Sequence, residues 1–397
     1  MTEPKFTKSF TQQESIPEKG IKLATKLMKS GRLHRYNLEP NEQSQASLLE
    51  KEFALWQGVK YCLACASGGY AIQLALRACG VKSGDKVLAN AYTLAPVPGA
   101  IHNVGAYPVF VETDNNYHID LVDLEKKACS SKSKFLLLSH MRGHIADMDK
   151  ITEICSNNGI NIIEDCAHTM GSKWRGIRSG NFGKVSAFST QTYKHINSGE
   201  GGFLTTNDAE LAAKAIVSSG SYMLYDRHGA IPPEKVFKST RLESPNYSGR
   251  MDQIRASILR SQLPKLERNI ERWNLLYDTL FEKLSIIDGI SIPLRNKNES
   301  YVGSSIQFKV TNLDDNTIPK FISGCLNRGV DLKWFGNKEP KAFTSRYDSW
   351  TYIKNLPVLN NTLSVLAKTI DMRIPLTFNK KDCAVIAEII QCEIRKI

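Results

Sequence analysis

The feature that most constrains this chain is a regular alternation of apolar runs and amphipathic stretches between residues 61 and 207. Seven short apolar runs occur there, at residues 61–66, 86–91, 106–111, 135–140, 161–164, 185–189 and 202–205. Helical patterns separate several of them, at residues 70–79, 120–128 and 148–157. This alternation predicts a mostly parallel, seven-stranded sheet with helices on both faces. Ligands of such sheets bind beyond the carboxyl ends of the strands.

The pattern changes after residue 251. A long helical segment is predicted over residues 252–283, since its apolar positions fall on one stripe. A second strand, helix and strand follow, at residues 304–310, 318–326 and 330–335, and residues 380–394 read as a closing helix. We therefore expect an α/β protein with two units. Residues 1–265 would form an N-terminal segment and a large domain, and residues 266–397 a smaller C-terminal α/β domain.

The net charge of the chain indicates which classes of ligand it can attract. The formal net charge is +12, but the basic residues are dispersed and no nucleic-acid-binding motif is visible. We therefore expect no nucleic-acid partner and favour an anionic small substrate. The first thirty residues lack the apolar core of a secretory signal, and no stretch reaches eighteen apolar residues, which predicts a cytoplasmic protein without a membrane span. Nine scattered cysteines predict reduced thiols without disulfides.

A loop of small residues, Ala66-Ser67-Gly68-Gly69, follows the first apolar run and precedes a helical pattern. Adjacent glycines let a ligand approach the backbone, and the start of a helix offers free N–H groups to a phosphate. A tight strand-to-helix turn explains the same loop without a ligand. The loop is thus a candidate phosphate site that needs support from other signals.

The fifth apolar run ends in acidic residues at the expected ligand edge of the sheet, and His168 follows three residues after Asp165. A carboxylate at Asp165 can hold a pyridine nitrogen protonated, which makes a cofactor ring an electron sink. His168 can contact such a ring. A helix N-cap aspartate and a core histidine account for the two residues equally simply.

A third signal is Lys194, in a loop of small residues and glycines after the sixth apolar run. Close backbone approach and partial desolvation there can lower the pKa of an amine and make it nucleophilic. Ser189, five residues earlier, can add a hydroxyl to a phosphate site. A lone lysine near glycines is usually a solvated surface group, so the functional interpretation depends on the three signals occurring in order.

These ordered motifs resemble those of the sugar aminotransferase family named after the DegT, DnrJ, EryC and StrS proteins. The family's phosphate loop matches residues 66–69, its acidic strand end matches residues 164–168, and its lysine motif matches residues 188–202 without a gap. The resemblance covers residues 35–266. It implies the type I fold of transferases that depend on pyridoxal 5'-phosphate, with a large sheet domain and a smaller C-terminal α/β domain.

The resemblance also implies roles for individual residues. Lys194 would bind pyridoxal phosphate covalently and move protons. Asp165 would pair with the ring nitrogen, and His168 would lie beside the ring. The residues that would hold the phosphate are Ser67, Gly68, Gly69 and Ser189.

A later stretch, residues 246–252, resembles a family motif that reaches the phosphate of the neighbouring subunit, which implies a homodimer with shared active sites. The family's asparagine in that motif falls on Ser248, so either Ser248 or Asn246 would make the contact. Where the family usually has an aromatic residue stacked on the ring, this chain has Leu94, which implies an apolar contact instead.

Three segments, residues 93–101, 139–147 and 193–200, look similar to the family's transaminases that make 8-amino-3,8-dideoxy-manno-octulosonate, a sugar of lipopolysaccharide. The resemblance implies glutamate as the amino donor and the 8-oxo acid sugar as the acceptor. Both substrates carry carboxylates, in keeping with the basic charge balance. We predict Arg142 and His144, in the loop after the fourth strand, and Leu94 as substrate contacts.

Three alternatives remain open. The family contains dehydratases with histidine in place of the lysine, and His195 directly follows Lys194, but the spacing from Phe188 favours Lys194 at the anchoring position. The acceptor could instead be a nucleotide-linked keto-sugar or a keto-inositol. A non-catalytic, cofactor-binding regulator is the third alternative, although the N-terminal forty residues show no helix-turn-helix pattern.

Overall fold

The computed structural model describes residues 4–397, and over this range the chain forms fourteen strands and thirteen α-helices. The strands are β1 (Tyr61–Cys65), β2 (Lys86–Asn90), β3 (Tyr107–Val111), β4 (Phe135–Ser139), β5 (Asn161–Asp165), β6 (Lys173–Trp174), β7 (Ile177–Arg178), β8 (Val185–Ser189), β9 (Gly202–Thr206), β10 (Ile290–Ser291), β11 (Glu299–Ser300), β12 (Ser305–Val310), β13 (Lys333–Trp334) and β14 (Thr369–Arg373). The helices are α1 (Glu18–Ser30), α2 (Gln45–Gln57), α3 (Gly68–Ala78), α4 (Pro96–Asn103), α5 (Leu121–Ser131), α6 (Met148–Asn157), α7 (Ala209–Ser218), α8 (Glu234–Thr240), α9 (Gln253–Gln262), α10 (Leu266–Leu284), α11 (Ile318–Asn327), α12 (Asn360–Ala367) and α13 (Lys380–Ile394).

The main sheet contains seven strands in the order β1-β9-β8-β5-β4-β2-β3. Strand β9 is antiparallel to both of its neighbours, β1 and β8. The other neighbouring strands pair in parallel. The predicted seven-stranded, mostly parallel sheet is therefore confirmed, and each predicted strand lies within one residue of the observed one at either end.

The apolar strands form because helices cover both faces of the sheet. In β4 all five residues are buried, and consecutive leucines point to opposite faces. Leu137 packs in the cluster that includes helices α3 and α4, whereas Leu136 and Leu138 pack in the cluster under α5 and α6. Burial on both faces explains why these strands read as continuous apolar runs rather than as alternating ones.

The predicted helix over residues 252–283 is broken in the structure. Helix α9 ends at Gln262, a 3-10 turn follows at Leu263–Lys265, and α10 begins at Leu266. The interruption falls on Pro264, which has no backbone N–H and whose ring clashes with the preceding turn of an α-helix. The prediction of one continuous helix was wrong for this physical reason.

The C-terminal part of the chain forms a second, antiparallel sheet in the order β10-β12-β14-β13. Helices α11 and α13 coincide with the predicted helices to within one residue. Strand β13 is shorter than the predicted run of residues 330–335, although Val330 and Leu332 are buried there. The boundary at residue 265 stays a prediction.

The first residues that the structure describes pack against loops that flank the second sheet. Phe6 and Phe10 each pack edge-on against Phe378 with ring centroids 5.0 Å apart, and the Phe6 N–H donates to the Arg328 carbonyl at 2.8 Å.

All nine cysteines carry free thiols. Across the part of the chain that the structure describes, no helix has both the length and the apolar character needed to cross a bilayer.

Candidate active site

A cavity of about 860 Å³ lies at the carboxyl ends of strands β4, β5 and β8, and its size is typical of a small-ligand site. This is the edge of the sheet at which the sequence predicts ligand binding. The predicted site residues that line the cavity are Ser67, Gly68, Gly69, Leu94, Arg142, Asp165, His168, Ser189 and Lys194. The structure thus brings together residues from five separate stretches of sequence.

The first turn of α3 forms one wall of the cavity. The Ser67 hydroxyl caps the helix by accepting the Tyr70 N–H at 3.0 Å. A side chain at position 68 would place its Cβ only 2.7 Å from the Ser189 Cβ, so Gly68 is required for the loop to approach β8. No such constraint acts on Gly69, whose nearest neighbour would be 3.8 Å away. The free N–H groups of this helix start, beside the Ser189 hydroxyl, suit an anion such as a phosphate.

Asp165 ends β5 and is buried, in register with Ser139 at the end of β4. The Ser139 hydroxyl donates to Oδ2 of Asp165 at 2.9 Å, and the Ala167 N–H donates to Oδ1 at 3.1 Å. Burial raises the pKa of Asp165, against the opposing effect of the Ser139 hydrogen bond. A buried carboxylate in this state is strongly stabilised by any cationic ligand group placed beside it.

The neighbouring carboxylate, Glu164, has a structural role. It accepts hydrogen bonds from the backbone N–H groups of Gly180, Phe182 and Gly183 at 2.7–2.8 Å and contacts His140 at 3.0 Å. Burial alone would raise its pKa, but the His140 hydrogen bond and these backbone donors hold the pKa below its ordinary value. Glu164 therefore fixes the loop that leads into β8.

Lys194 extends from the loop after β8 into the cavity. Its Nζ lies 2.8 Å from Nε2 of His168. Burial, followed by the positive charge of Arg142, lowers the pKa of Lys194 to about 7, while Asp165 acts in the opposite direction. Burial and the charge of Lys194 hold the pKa of His168 well below its ordinary value. The site therefore pairs a neutral imidazole with an amine that is partly uncharged at neutral pH.

His195, the residue after Lys194, faces away from this cavity. Its Nε2 lies 3.2 Å from the Ser304 hydroxyl, and its ring packs edge-on against Trp273 at 5.2 Å. It is absent from the residues that line the 860 Å³ cavity. Lys194, and not His195, thus presents its side chain to the ligand space.

Of the three predicted substrate contacts, Leu94 and Arg142 line the cavity and His144 does not. Arg142 lines the cavity and forms an ion pair with the buried Asp371, with Nη2 and Oδ2 at 2.7 Å. His144 is buried behind the cavity wall, where its Nε2 lies 2.8 Å from Oε1 of Gln307. Burial holds the pKa of His144 well below its ordinary value. A polar residue in a loop can point either way, and here the side chain of His144 packs into the core.

Asn246 and Ser248 are exposed and lie outside the cavity wall. The Asn246 side-chain oxygen accepts the Ser248 N–H at 2.9 Å, and the Ser248 hydroxyl lies 3.3 Å from Nη1 of Arg250. Both polar side chains are available at the surface of the subunit.

The sequence reasoning missed Arg373, which lines the cavity from the last position of β14. Its guanidinium carbon lies 3.7 Å from the centroid of the Tyr193 ring. The sequence offers one indication of this role, an arginine at the end of a strand in the second unit. The sequence does not show which end of that strand faces the main sheet. Tyr193 and Phe343 complete this side of the cavity.

A model of the DegT/DnrJ/EryC1/StrS aminotransferase family matches residues 15–362. The chain belongs to this family. The motifs at residues 66–69, 164–168 and 188–202 converge on the cavity, and the family places the seven-stranded sheet among aminotransferase folds.

Among curated relatives in the DegT/DnrJ/EryC1/StrS family, the chain is 34% identical over 226 residues to the "pleiotropic regulatory protein" of Geobacillus stearothermophilus, a match covering 56% of this chain and 57% of the relative. It is 35% identical over 222 residues to the GDP-perosamine synthase of Caulobacter vibrioides, covering 56% and 57%. These matches span just over half the length of each relative. The crystal structure of 3-amino-5-hydroxybenzoic acid synthase superposes with a TM-score of 0.84 over 100% of both chains at 22% identity, which shows a common fold.

The family depends on pyridoxal phosphate, and the cavity fits this group on three observations. The close contact between Gly68 and β8 leaves a helix start free of side chains beside the Ser189 hydroxyl, as a phosphate requires. Asp165 offers a buried carboxylate to a ring nitrogen. Lys194 offers an amine of lowered pKa in the same cavity.

Proposed function

We propose that this protein is a pyridoxal-phosphate-dependent aminotransferase that moves an amino group from glutamate to an oxidised sugar, with Lys194 as the residue that carries the cofactor. The observation that carries the proposal is the Lys194 amine, which faces the cavity 2.8 Å from a neutral His168 and has a pKa lowered to about 7. An amine in this state is a nucleophile near neutral pH.

The residues that would hold the cofactor come from the ends of three strands. Gly68, Gly69 and the hydroxyls of Ser67 and Ser189 would hold its phosphate, because the helix start supplies N–H donors and partial positive charge. Asp165 would accept a hydrogen bond from the protonated ring nitrogen. When bound, pyridoxal phosphate withdraws electrons from the substrate carbon and so makes its proton acidic.

The protein's own part in the reaction is proton transfer by Lys194. Once its amine is free, it can accept a proton from the donor carbon and return one to the acceptor, since its pKa lies near the working pH. His168 accepts a hydrogen bond from this amine and holds it in place. The buried Asp165 carboxylate favours the charged ring nitrogen throughout, because burial strengthens the attraction between opposite charges.

For the acceptor we propose 8-oxo-3,8-dideoxy-manno-octulosonate, which would give the 8-amino acid sugar of lipopolysaccharide. The net charge of +12 and the cationic Arg142 in the cavity wall support an acidic substrate. The relative named GDP-perosamine synthase favours a second candidate, a nucleotide-linked keto-sugar. The relative named as a pleiotropic regulatory protein supports a third candidate function, a regulator that binds the cofactor without turnover.

We also propose a cytoplasmic homodimer with shared active sites. The exposure of Asn246 and Ser248 supports this assembly, because neither side chain lines the cavity of its own subunit and both lie at the surface, where a partner's phosphate could contact them. The positive φ of Ser248 and its contact with Arg250 hold that turn in one conformation.

The experiment measures 2-oxoglutarate released from glutamate by the protein with pyridoxal phosphate, with each of the two acceptors in turn. We expect turnover with the acid sugar, less with the GDP-linked keto-sugar, and none for Lys194→Ala. His195→Gln is the matched control, because the neighbouring side chain faces away from the cavity and turnover should persist. Release of 2-oxoglutarate by Lys194→Ala, or none from the wild type with any acceptor, would refute the proposal. Cofactor binding without turnover would support the regulator.

A further inference from the structure

A second cavity, of about 390 Å³, lies beside the loop that carries Lys194. Its walls come from the N-terminal segment at residues 13–17, from the loop at residues 194–197 and from the start of α10. Lys194 lines both this cavity and the 860 Å³ cavity, whereas His195 lines only the second one. The two cavities are therefore separate spaces on either side of one loop.

Three cationic side chains, Lys265, Arg268 and Arg272, line the second cavity. They are spaced three and four residues apart along the start of α10, so they lie on one face of the helix. Like charges at this spacing destabilise a helix, and cations near its N-terminal end also oppose the helix dipole. This stripe of positive charge therefore has a cost that a bound anion would offset.

One end of the stripe already holds an oxyanion from the protein itself. The Glu14 carboxylate accepts hydrogen bonds from Nη1 and Nη2 of Arg272 at 2.9 and 2.6 Å. The other two cations have no such partner, since within residues 4–397 neither Lys265 nor Arg268 forms an ion pair or a side-chain hydrogen bond. Two positive charges on the cavity wall are thus left for a ligand.

Uncharged donors in the same wall also lack acceptors. His195 is 5% exposed and its Nε2 lies 3.2 Å from the Ser304 hydroxyl, but its Nδ1 is buried without a hydrogen-bond partner. Burial, followed by the charge of Lys194, lowers the pKa of His195 to about 3, so the ring is neutral and can carry its hydrogen on Nδ1. Asn269 accepts from Arg272 through Oδ1 at 3.1 Å, which leaves its NH2 group to donate. The wall is therefore rich in donors and poor in acceptors.

We propose that the second cavity binds a phosphate group, either as free phosphate or as part of a small phosphate ester. A phosphate dianion matches the two unpaired charges of Lys265 and Arg268, and arginine and lysine are the side chains that bind phosphate, through a planar fork and as a point charge. The volume of about 390 Å³ leaves room for an ester, since small-molecule sites span about 300–1,000 Å³. This inference goes beyond the proposed aminotransferase reaction, which uses neither cation.

The test is a calorimetric titration of inorganic phosphate into the full-length protein at constant ionic strength. The protein is first saturated with pyridoxal phosphate and freed of the excess, so that the helix start at Gly68 is already occupied. We expect one phosphate per subunit, and roughly tenfold weaker binding in Lys265→Gln and in Arg268→Gln, as for loss of a charged hydrogen-bond partner. Lys283→Gln is the matched control, because this exposed lysine stands in the last turn of the same helix, and it should bind phosphate normally.

A change of opposite sign is expected for Glu14→Gln. This substitution removes the negative charge from the cavity wall and frees Arg272 for the ligand, so phosphate should bind more tightly than to the wild type. Weaker binding in Glu14→Gln, no saturable binding to the wild type, or unchanged affinity in the Lys265→Gln/Arg268→Gln double variant would overturn the proposal. All of these side chains except Arg272 are exposed, so the variants should fold.

The source of the phosphate group follows from a second titration with glycerol 3-phosphate. Tighter binding of the ester than of inorganic phosphate assigns the cavity to a phosphate ester, and the reverse order assigns it to free phosphate. Failure of the proposed function has a different signature, since these titrations require no turnover. A protein that binds no pyridoxal phosphate would still show phosphate binding that is weakened by Arg268→Gln.

Discussion

The amine of Lys194 lies 2.8 Å from Nε2 of His168 inside the cavity. Since the pKa of His168 is held well below its ordinary value, the imidazole stays uncharged at neutral pH. It can therefore accept a hydrogen bond from Lys194 without repelling its charge. This arrangement keeps the amine in place while burial and Arg142 lower its pKa to about 7.

The first prediction concerns the pH dependence of this amine. In cofactor-free protein, Lys194 is protonated below its pKa and reactive above it, so its reaction with trinitrobenzenesulfonate should rise through about pH 7. Ordinary lysines rise only near about pH 10. The rate assigned to Lys194 is the difference between wild type and Lys194→Ala. A difference that appears only near the ordinary lysine value would contradict the lowered pKa.

Asp165→Asn tests the partner of the ring nitrogen. We expect roughly ten- to hundredfold weaker binding of pyridoxal phosphate, because the amide carries no charge to pair with the ring nitrogen. The stability of the cofactor-free protein should change by no more than about 1 kcal/mol, since the amide oxygen can still accept the Ala167 N–H and the amide NH2 can donate to the Ser139 hydroxyl. Fluorescence titration with the cofactor and urea unfolding measure the two effects. Equal losses of stability and binding would indicate a structural role only.

Adjacent glycines provide a matched pair. Gly68→Ala would place a Cβ 2.7 Å from the Ser189 Cβ, and we expect a loss of about 1–3 kcal/mol in the free energy of unfolding. Gly69→Ala has 3.8 Å of space and should leave stability unchanged or raise it by up to about 1 kcal/mol, because alanine favours a helix. Urea unfolding of both variants provides the comparison. Similar effects at the two positions would show that Gly68 is not held against β8.

A buried ion pair far from the chemistry gives a prediction about stability. Glu50 accepts from Arg35 at 2.9 and 3.0 Å, and both side chains are fully buried. Glu50→Gln leaves the Arg35 charge unpaired and should cost about 3–5 kcal/mol at pH 7. Glu52→Gln is the control on the same helix, since its partner Arg260 lies nearer the surface, and it should cost about 0–1 kcal/mol.

The sign of the pH effect follows from the pKa of Glu50. Burial alone would raise this pKa, but the charges and hydrogen bonds of Arg35 and His228 together outweigh burial and hold it far below the value of 4.5 for a free glutamate. The stabilisation by Glu50 is therefore complete above about pH 4.5 and is lost as the pH falls towards the folded pKa. The difference in unfolding free energy between wild type and Glu50→Gln should shrink below that pH. A constant difference down to acid unfolding would contradict the pairing.

Much of the large domain could be predicted from sequence, because its strands are buried on both faces and read as apolar runs. The residues at strand ends, such as Asp165 and Ser189, follow from the same reasoning, since parallel strands align their carboxyl ends at one edge. The prediction of a continuous helix over residues 252–283 was wrong because it gave more weight to the apolar stripe than to Pro264. A proline inside a helical pattern indicates an interruption at that point.

The second unit's contribution to the site could not be predicted. Arg373 reaches the cavity only because β14 packs with its carboxyl end towards the Lys194 loop, and that depends on tertiary contacts far apart in sequence. His144 shows the converse problem. Its loop position is typical of a substrate contact, yet its hydrogen bond to Gln307 places the ring in the interior.

The central claim, that Lys194 carries pyridoxal phosphate, is tested most directly by borohydride reduction of the protein with bound cofactor, followed by proteolysis and mass spectrometry of the peptides. The account predicts a phosphopyridoxyl group on Lys194 in the wild type and no modified peptide from that loop in Lys194→Ala. A stable adduct on a different lysine, or none in a wild type that is folded and saturated with the cofactor, would contradict it.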